Sequence, residues 1–234
     1  MDSFLMEINS LGYGALRQLR NLSIAALIGL GSAHAETVTI AALGDSLTQG
    51  YGLPPDQGFV PQLQTWLDAD GADTVIVNAG VSGDTTQGGL ARVDWTLTEE
   101  TDALIVALGA NDVLRGIEPS VVRANLEGIL GTAVDAGVPV LLAGFAAPGN
   151  YGPDYKNEFD AIFPDLATEF GALFIDRFLE PIIREGDESR PPVELLQADG
   201  LHPNREGVAL IVEQLGPKVA ELANRVREKW LRTH

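Results

Sequence analysis

"TVTIAAL" at residues 37–43, running straight into "GDSLTQG" at 44–50, sets the architecture. The first half is apolar, rich in β-branched residues and free of charge, which fits a strand buried on both faces. It stops at Gly44, where small and polar residues take over, as at a strand-to-loop turn. The same pattern recurs in "DTVIVNA" (73–79), "DALIVAL" (102–108) and "VPVLLAG" (138–144), with "GALFID" (171–176) as a weaker fifth strand. Between them the period lengthens to that of helices. In 119–136, Pro119 suits a first turn, and Val122, Leu126, Ile129, Leu130 and Ala133 form one stripe. Residues 155–170 form a second helix. The tail places Ile211, Leu215, Val219, Leu222 and Val226 on one face, with Gly216-Pro217 expected to break or kink it. The polar stretch "REGDESRPPVE" (184–194) is read as an exposed loop.

Strand–helix alternation predicts a three-layer α/β/α sandwich around a parallel sheet. Parallel strands end on one edge, where ligands bind. Three loops meet there: "GDSLTQG", "GVSGDT" (80–85) and "GANDVLRG" (109–116), each with glycine and small polar groups.

The chain has 234 residues and 45% hydrophobic content, enough for one well-filled domain. It has no cysteine, which excludes disulfides, thiolate metal sites and a cysteine nucleophile. A formal net charge of −18 disfavours nucleic acid and anionic membrane surfaces as partners. At the N-terminus, Arg17 and Arg20 precede the apolar "LSIAALIGLG" (22–31) and then "SAHA", where Ala33 and Ala35 fit a small-x-small cleavage site. Residues 1–35 are therefore expected to be a cleaved export signal and 36–234 a single domain, periplasmic or secreted. Met6 offers an alternative start, and a membrane-anchoring first helix is the competing reading of the segment.

Export would remove His34, and His234 is terminal, so His202 is the one histidine expected to be held in place. It lies in "DGLHPN" (199–204), where Asp199, three residues earlier, can accept a hydrogen bond from one ring nitrogen and leave the other free as a base. A surface histidine in a polar turn is the plainer alternative. Ser46 follows the first strand and needs such a base to become a nucleophile. A serine there more commonly caps a helix. The Gly-x-Ser-x-Gly elbow is absent, because Thr48 occupies its last position, so a standard α/β-hydrolase is disfavoured. Attack on an acyl carbonyl also requires donors for the developing oxyanion. Asn111 offers a side-chain amide and Gly83 an unshielded backbone N–H, unless these residues only cap and turn the chain.

Together, "GDSLTQGYGLP", "NAGVSGDTTQGGLAR", "LGANDVLRG" and "DGLHPN", in this order, resemble the SGNH (GDSL) hydrolase superfamily. They are most similar to its branch of thioesterase I, lysophospholipase L1 and arylesterase. "APGNYGPDY" (147–155) fits as well, and the likeness runs from about Thr39 to Val212. The resemblance implies a flavodoxin-like, five-stranded parallel sheet with no metal or cofactor. It makes Ser46 the nucleophile, His202 the base and Asp199 its orienter. It makes the N–H groups of Ser46, Gly83 and Asn111 the oxyanion donors. It also implies acyl-contacting loops after the third and fourth strands, which brings in Leu114, Phe145 and Ala146. Phe145 at a strand end is equally a core residue.

The expected activity is that of an exported serine esterase or thioesterase acting on small or lipid-like acyl substrates through an acyl-enzyme. A carbohydrate O-deacetylase with the same machinery and a non-catalytic envelope binding protein are the alternatives.

Overall fold

Residues 37–183 and 192–233 are described in a computed structural model. The expected export signal, and most of the expected 184–194 loop, lie outside the described residues.

The β-branched runs become five strands: β1 (Val38–Gly44), β2 (Thr74–Gly80), β3 (Ala103–Ala107), β4 (Val140–Ala143) and β5 (Leu173–Ile175). They pair in the order β2-β1-β3-β4-β5, and every pairing is parallel. That is the flavodoxin-like arrangement, whose direction of winding reverses between β1 and β3. The described helices are α1 (Ser46–Gln49), α2 (Phe59–Asp70), α3 (Thr86–Thr96), α4 (Ala110–Leu114), α5 (Pro119–Asp135), α6 (Pro153–Phe170) and α7 (Arg205–Thr233). α2 packs on α7, and α3, α5 and α6 pack side by side, giving the two outer layers. β1, β3 and β4 lie between them with almost every side chain buried.

Two expectations need correction. Coverage on both faces fails at β2, where Val75 and Val77 are 47% and 45% exposed. As the edge strand, β2 is covered only on the face of Thr74 and Ile76. At the start of its free backbone edge, Gln64 of α2 donates to the Thr74 carbonyl at 2.9 Å and accepts from the Ile76 N–H at 2.9 Å. An open edge invites pairing with another chain, and this amide occupies two of the groups that such pairing would use. Nor is the tail helix broken at Gly216-Pro217. α7 continues through Pro217, because Leu215 and Val219 are fully buried on either side of it and Gly216 fits against the Trp66 ring. Tertiary packing outweighs the hydrogen bond that proline cannot make.

The site-bearing turn depends on two close approaches at the ends of neighbouring strands. A Cβ on Gly44 would collide with the Thr48 side chain, and one on Gly80 with the backbone of Gln49. Their absence lets α1 settle directly on the sheet edge. Arg92 fastens the same corner, donating to the carbonyls of Ala79 (2.7 Å) and Gly44 (2.8 Å) while pairing with Asp84 (2.7 Å).

Candidate active site

The C-terminal ends of β1, β2 and β3 converge where the winding reverses. Ser46 opens α1, immediately after β1. Asp45 caps this turn: its Oδ1 accepts the Leu47 N–H at 2.9 Å. His202 arrives from a loop closed on itself, with the Gln197 N–H bonded to the His202 carbonyl (2.8 Å) and the Asn204 N–H to the Leu195 carbonyl (2.9 Å). Asn204 then caps α7 by accepting the Gly207 N–H at 3.0 Å.

Across 156 residues of sequence, His202 Nε2 lies 2.9 Å from Ser46 Oγ. Its Nδ1 is 2.7 Å from Asp199 Oδ2. The other Asp199 oxygen accepts the N–H groups of Leu201 (2.9 Å) and His202 (3.0 Å). The Leu201 N–H first, and then the His202 ring, hold the Asp199 carboxyl down to about 2. It is therefore an acceptor throughout the neutral range and fixes the proton on Nδ1, leaving Nε2 to receive one from Ser46.

The oxyanion candidates share one cleft of about 440 Å³ with Ser46 and His202. Gly83 has φ +78°, a conformation open to glycine and costly for other residues. Among the described residues, neither its N–H nor that of Ser46 is used by a protein acceptor. Asn111 lies on α4 and gives one amide hydrogen to Asp45 Oδ2 at 3.1 Å, leaving the second available. Asp45 is 1% exposed, and burial pushes its carboxyl up to about 6 against the opposing pull of the Leu47 N–H, His202 and Asn111.

Of the three residues expected to contact an acyl group, only Leu114 lines the cleft, with 57% of its surface exposed. Phe145 is 7% exposed and packs in the core, its ring centroid 5.8 Å from that of Phe178 and 6.3 Å from that of Phe163. Just before it, Gly144 lies close against the Asp176 carbonyl, where a Cβ would collide. Ala146 does not line the cleft either. Leu47, Tyr51, Ala110, Leu179 and Leu201 supply its remaining apolar wall.

Sequence reasoning missed the group that joins the two oxyanion loops. Asp112 is fully buried and accepts the Thr86 N–H (2.9 Å) and hydroxyl (2.6 Å). Asn125 donates to that hydroxyl at 3.1 Å. Arg115 adds an outer tie to the Gly83 carbonyl at 2.7 Å. α4 and the 83–86 loop are thereby held as one unit. The available signal was an acid directly beside Asn111 in "GANDVL".

The chain is similar to known proteins over most of its length. The profile of the GDSL-like Lipase/Acylhydrolase family matches residues 42–210. An arylesterase of Vibrio mimicus is 35% identical over 196 residues, covering 83% of this chain and 94% of that protein. Thioesterase 1/protease 1/lysophospholipase L1 of Escherichia coli K12 is 34% identical over 199 residues, covering 85% and 90%. The crystal structure of AlinE4, an SGNH-hydrolase family esterase, superposes with a TM-score of 0.64 at 39% identity, covering 80% of this chain and 96% of that one.

Proposed function

The chain belongs to the GDSL-like lipase/acylhydrolase family, a serine hydrolase of ester bonds, and from that premise we propose that Ser46, His202 and Asp199 carry its chemistry through an acyl-enzyme. Its substrates are carboxylic esters and thioesters of small or lipid-like acyl groups. The observation that supports this most directly is the continuous relay from Ser46 Oγ to His202 Nε2 (2.9 Å) and from Nδ1 to Asp199 (2.7 Å).

His202 Nε2 takes the Ser46 proton as Oγ bonds to the acyl carbon. The carbonyl π pair moves onto oxygen, which is received by the N–H groups of Ser46, Gly83 and Asn111. Collapse of the tetrahedral species breaks the bond to the leaving oxygen or sulfur, which accepts the proton from Nε2. A water then repeats the sequence on the Ser46 ester, releasing the acid and restoring the hydroxyl. Asp199 stays ionised and orients the imidazole.

The domain acting in this way is residues 36–234, freed by export and cleavage after Ala35, with the periplasm or the exterior as its destination. The basic–apolar–small order of residues 17–35 supports this. Among the described residues, no helix is long and apolar enough to cross a membrane.

A fluorophosphonate tests the assignment. It should label the wild type at Ser46 and fail to label Ser46→Ala, which should retain the wild-type melting temperature and lose turnover of p-nitrophenyl and CoA esters. Substantial ester turnover by Ser46→Ala would refute the assignment.

A further inference from the structure

We propose that Gln197 is a positioning residue for catalysis: its side-chain amide straps the base-bearing loop to the nucleophile turn and so sets the distance between His202 and Ser46. This rests on the esterase reading above and extends it to what holds the two halves of the relay in register.

The relay joins two elements that the chain builds separately. Ser46 belongs to the turn after β1, where the N–H groups of Gly50 (3.1 Å) and Tyr51 (3.0 Å) return to the Ser46 carbonyl. Asp199 and His202 share one loop, so their mutual geometry is local and survives a movement of that loop as a body. The contact between His202 Nε2 and Ser46 Oγ does not survive it. The reaction is steep in this distance, and a misplacement of ~1 Å costs roughly 10²-fold.

Packing behind the pair supplies little direction. Leu47, Leu53, Phe59, Phe178, Val208 and Ile211 line a small apolar gap together with Ser46 and His202. Contact of this kind is non-directional and does not fix a register.

Gln197 supplies the direction. Its Nε2 carries two hydrogens, and two carbonyl acceptors fix the amide with nitrogen toward them. One acceptor is the Tyr51 carbonyl at 2.8 Å, and the other is the carbonyl of Pro203, the residue after His202, at 3.0 Å. The Gln197 backbone N–H adds a bond to the His202 carbonyl at 2.8 Å. Among the described residues, no other hydrogen bond joins the 46–53 turn to the 196–204 loop, apart from that between Ser46 and His202 themselves. The fit is close, because a Cβ on Gly52 would collide with Gln197 Oε1. Tyr51, which receives the strap, also walls one side of the base: its ring centroid is 4.9 Å from that of His202 at an interplanar angle of 41°.

Gln197→Met tests the proposal. Methionine keeps the length of the side chain and has no donor, while the backbone N–H that closes the base loop stays. Gln197→Ala gives the same comparison if methionine disturbs the fold. Labelling of Ser46 by a fluorophosphonate and kcat for p-nitrophenyl butyrate should both fall about tenfold to a hundredfold per folded enzyme, with KM within about twofold of wild type. The pH of half-maximal kcat/KM should stay where it is, since Asp199 and His202 move together. In a His202→Ala background the same substitution should change the residual rate less than about twofold, because no base is left to place. Wild-type rates in Gln197→Met would overturn the proposal. So would an equal slowing with and without His202, a displaced pH midpoint, or failure of both variants to fold, each of which would make Gln197 a support of the loop or the domain. A wild type that the fluorophosphonate does not label at Ser46 would instead overturn the triad reading beneath it.

Discussion

Asp45→Asn should flatten the pH dependence of stability and disable the enzyme at the same time. Asp45 is buried beside the nucleophile, and its carboxyl is raised from the ordinary 3.8 to about 6, burial being the largest cause. The folded protein therefore holds this proton more tightly than the unfolded chain does. Its stabilising contribution is complete below 3.8 and is lost as the pH rises through about 6. At ~1.36 kcal/mol per pH unit between those two values, the loss amounts to about 3 kcal/mol. Asparagine has no proton to lose, so the wild type should fall by about 3 kcal/mol relative to the variant between pH 4 and pH 8. Asp199 titrates in the opposite sense: its contribution fades only as the pH drops below the usual carboxylate range toward 2, and it is common to both proteins. The catalytic loss has a separate origin. Asp45 Oδ2 accepts from Asn111, and an amide in its place sets donor against donor. Relief requires Asn111 to flip and present oxygen where the oxyanion needs N–H. Loss of one such donor costs roughly 10²–10³ in kcat. Urea unfolding followed by tryptophan fluorescence at pH 4, 6 and 8, alongside kcat for an aryl ester, measures both effects. Parallel stability curves across that range, or a kcat within twofold of wild type, would refute the reasoning.

Phe145→Ala should cost roughly 3–5 kcal/mol, as for a buried ring in a packed core, without altering the preferred acyl length per active enzyme. A shifted chain-length profile with an unchanged melting temperature would return Phe145 to the cleft wall. Thr86→Val removes the hydroxyl bound to Asp112 and should destabilise the protein by roughly 1–3 kcal/mol, with kcat falling and KM held. Thr86→Ser should restore both, and a titrated kcat that stays at the wild-type value in Thr86→Val would show that the brace does not reach Asn111.

The strands were legible because their chemistry is local. Uncharged β-branched runs such as 38–44 and 103–107 have few alternatives to a buried strand, and the loops after them follow. α3 was not singled out because its apolar stripe is weak and interrupted by Gln, Gly and Arg, whereas α2 carries a clear stripe of Phe59, Val60, Leu63 and Leu67 that the reading passed over. Ser46 and His202 stood out by scarcity and motif. Asp112, Thr86 and Tyr51 did not, because their roles depend on partners far away in sequence. Phe145 was ambiguous for the same reason. An aromatic residue just past a strand can turn toward solvent or core, and the rings it packs on, Phe163 and Phe178, lie 18 and 33 residues further along the chain.

The separation of 156 residues between Ser46 and His202 also bears on the order of folding. A chain growing from its N-terminus has the proposed nucleophile Ser46, Gly83 and Asn111 long before it has the proposed base. His202 reaches Ser46 only when α7 has docked on the sheet and α2, a contact of long sequence separation that forms late and slowly. Until then the serine is an ordinary hydroxyl. On that assignment hydrolysis reports closure of the whole domain, and a partly folded chain cannot attack esters.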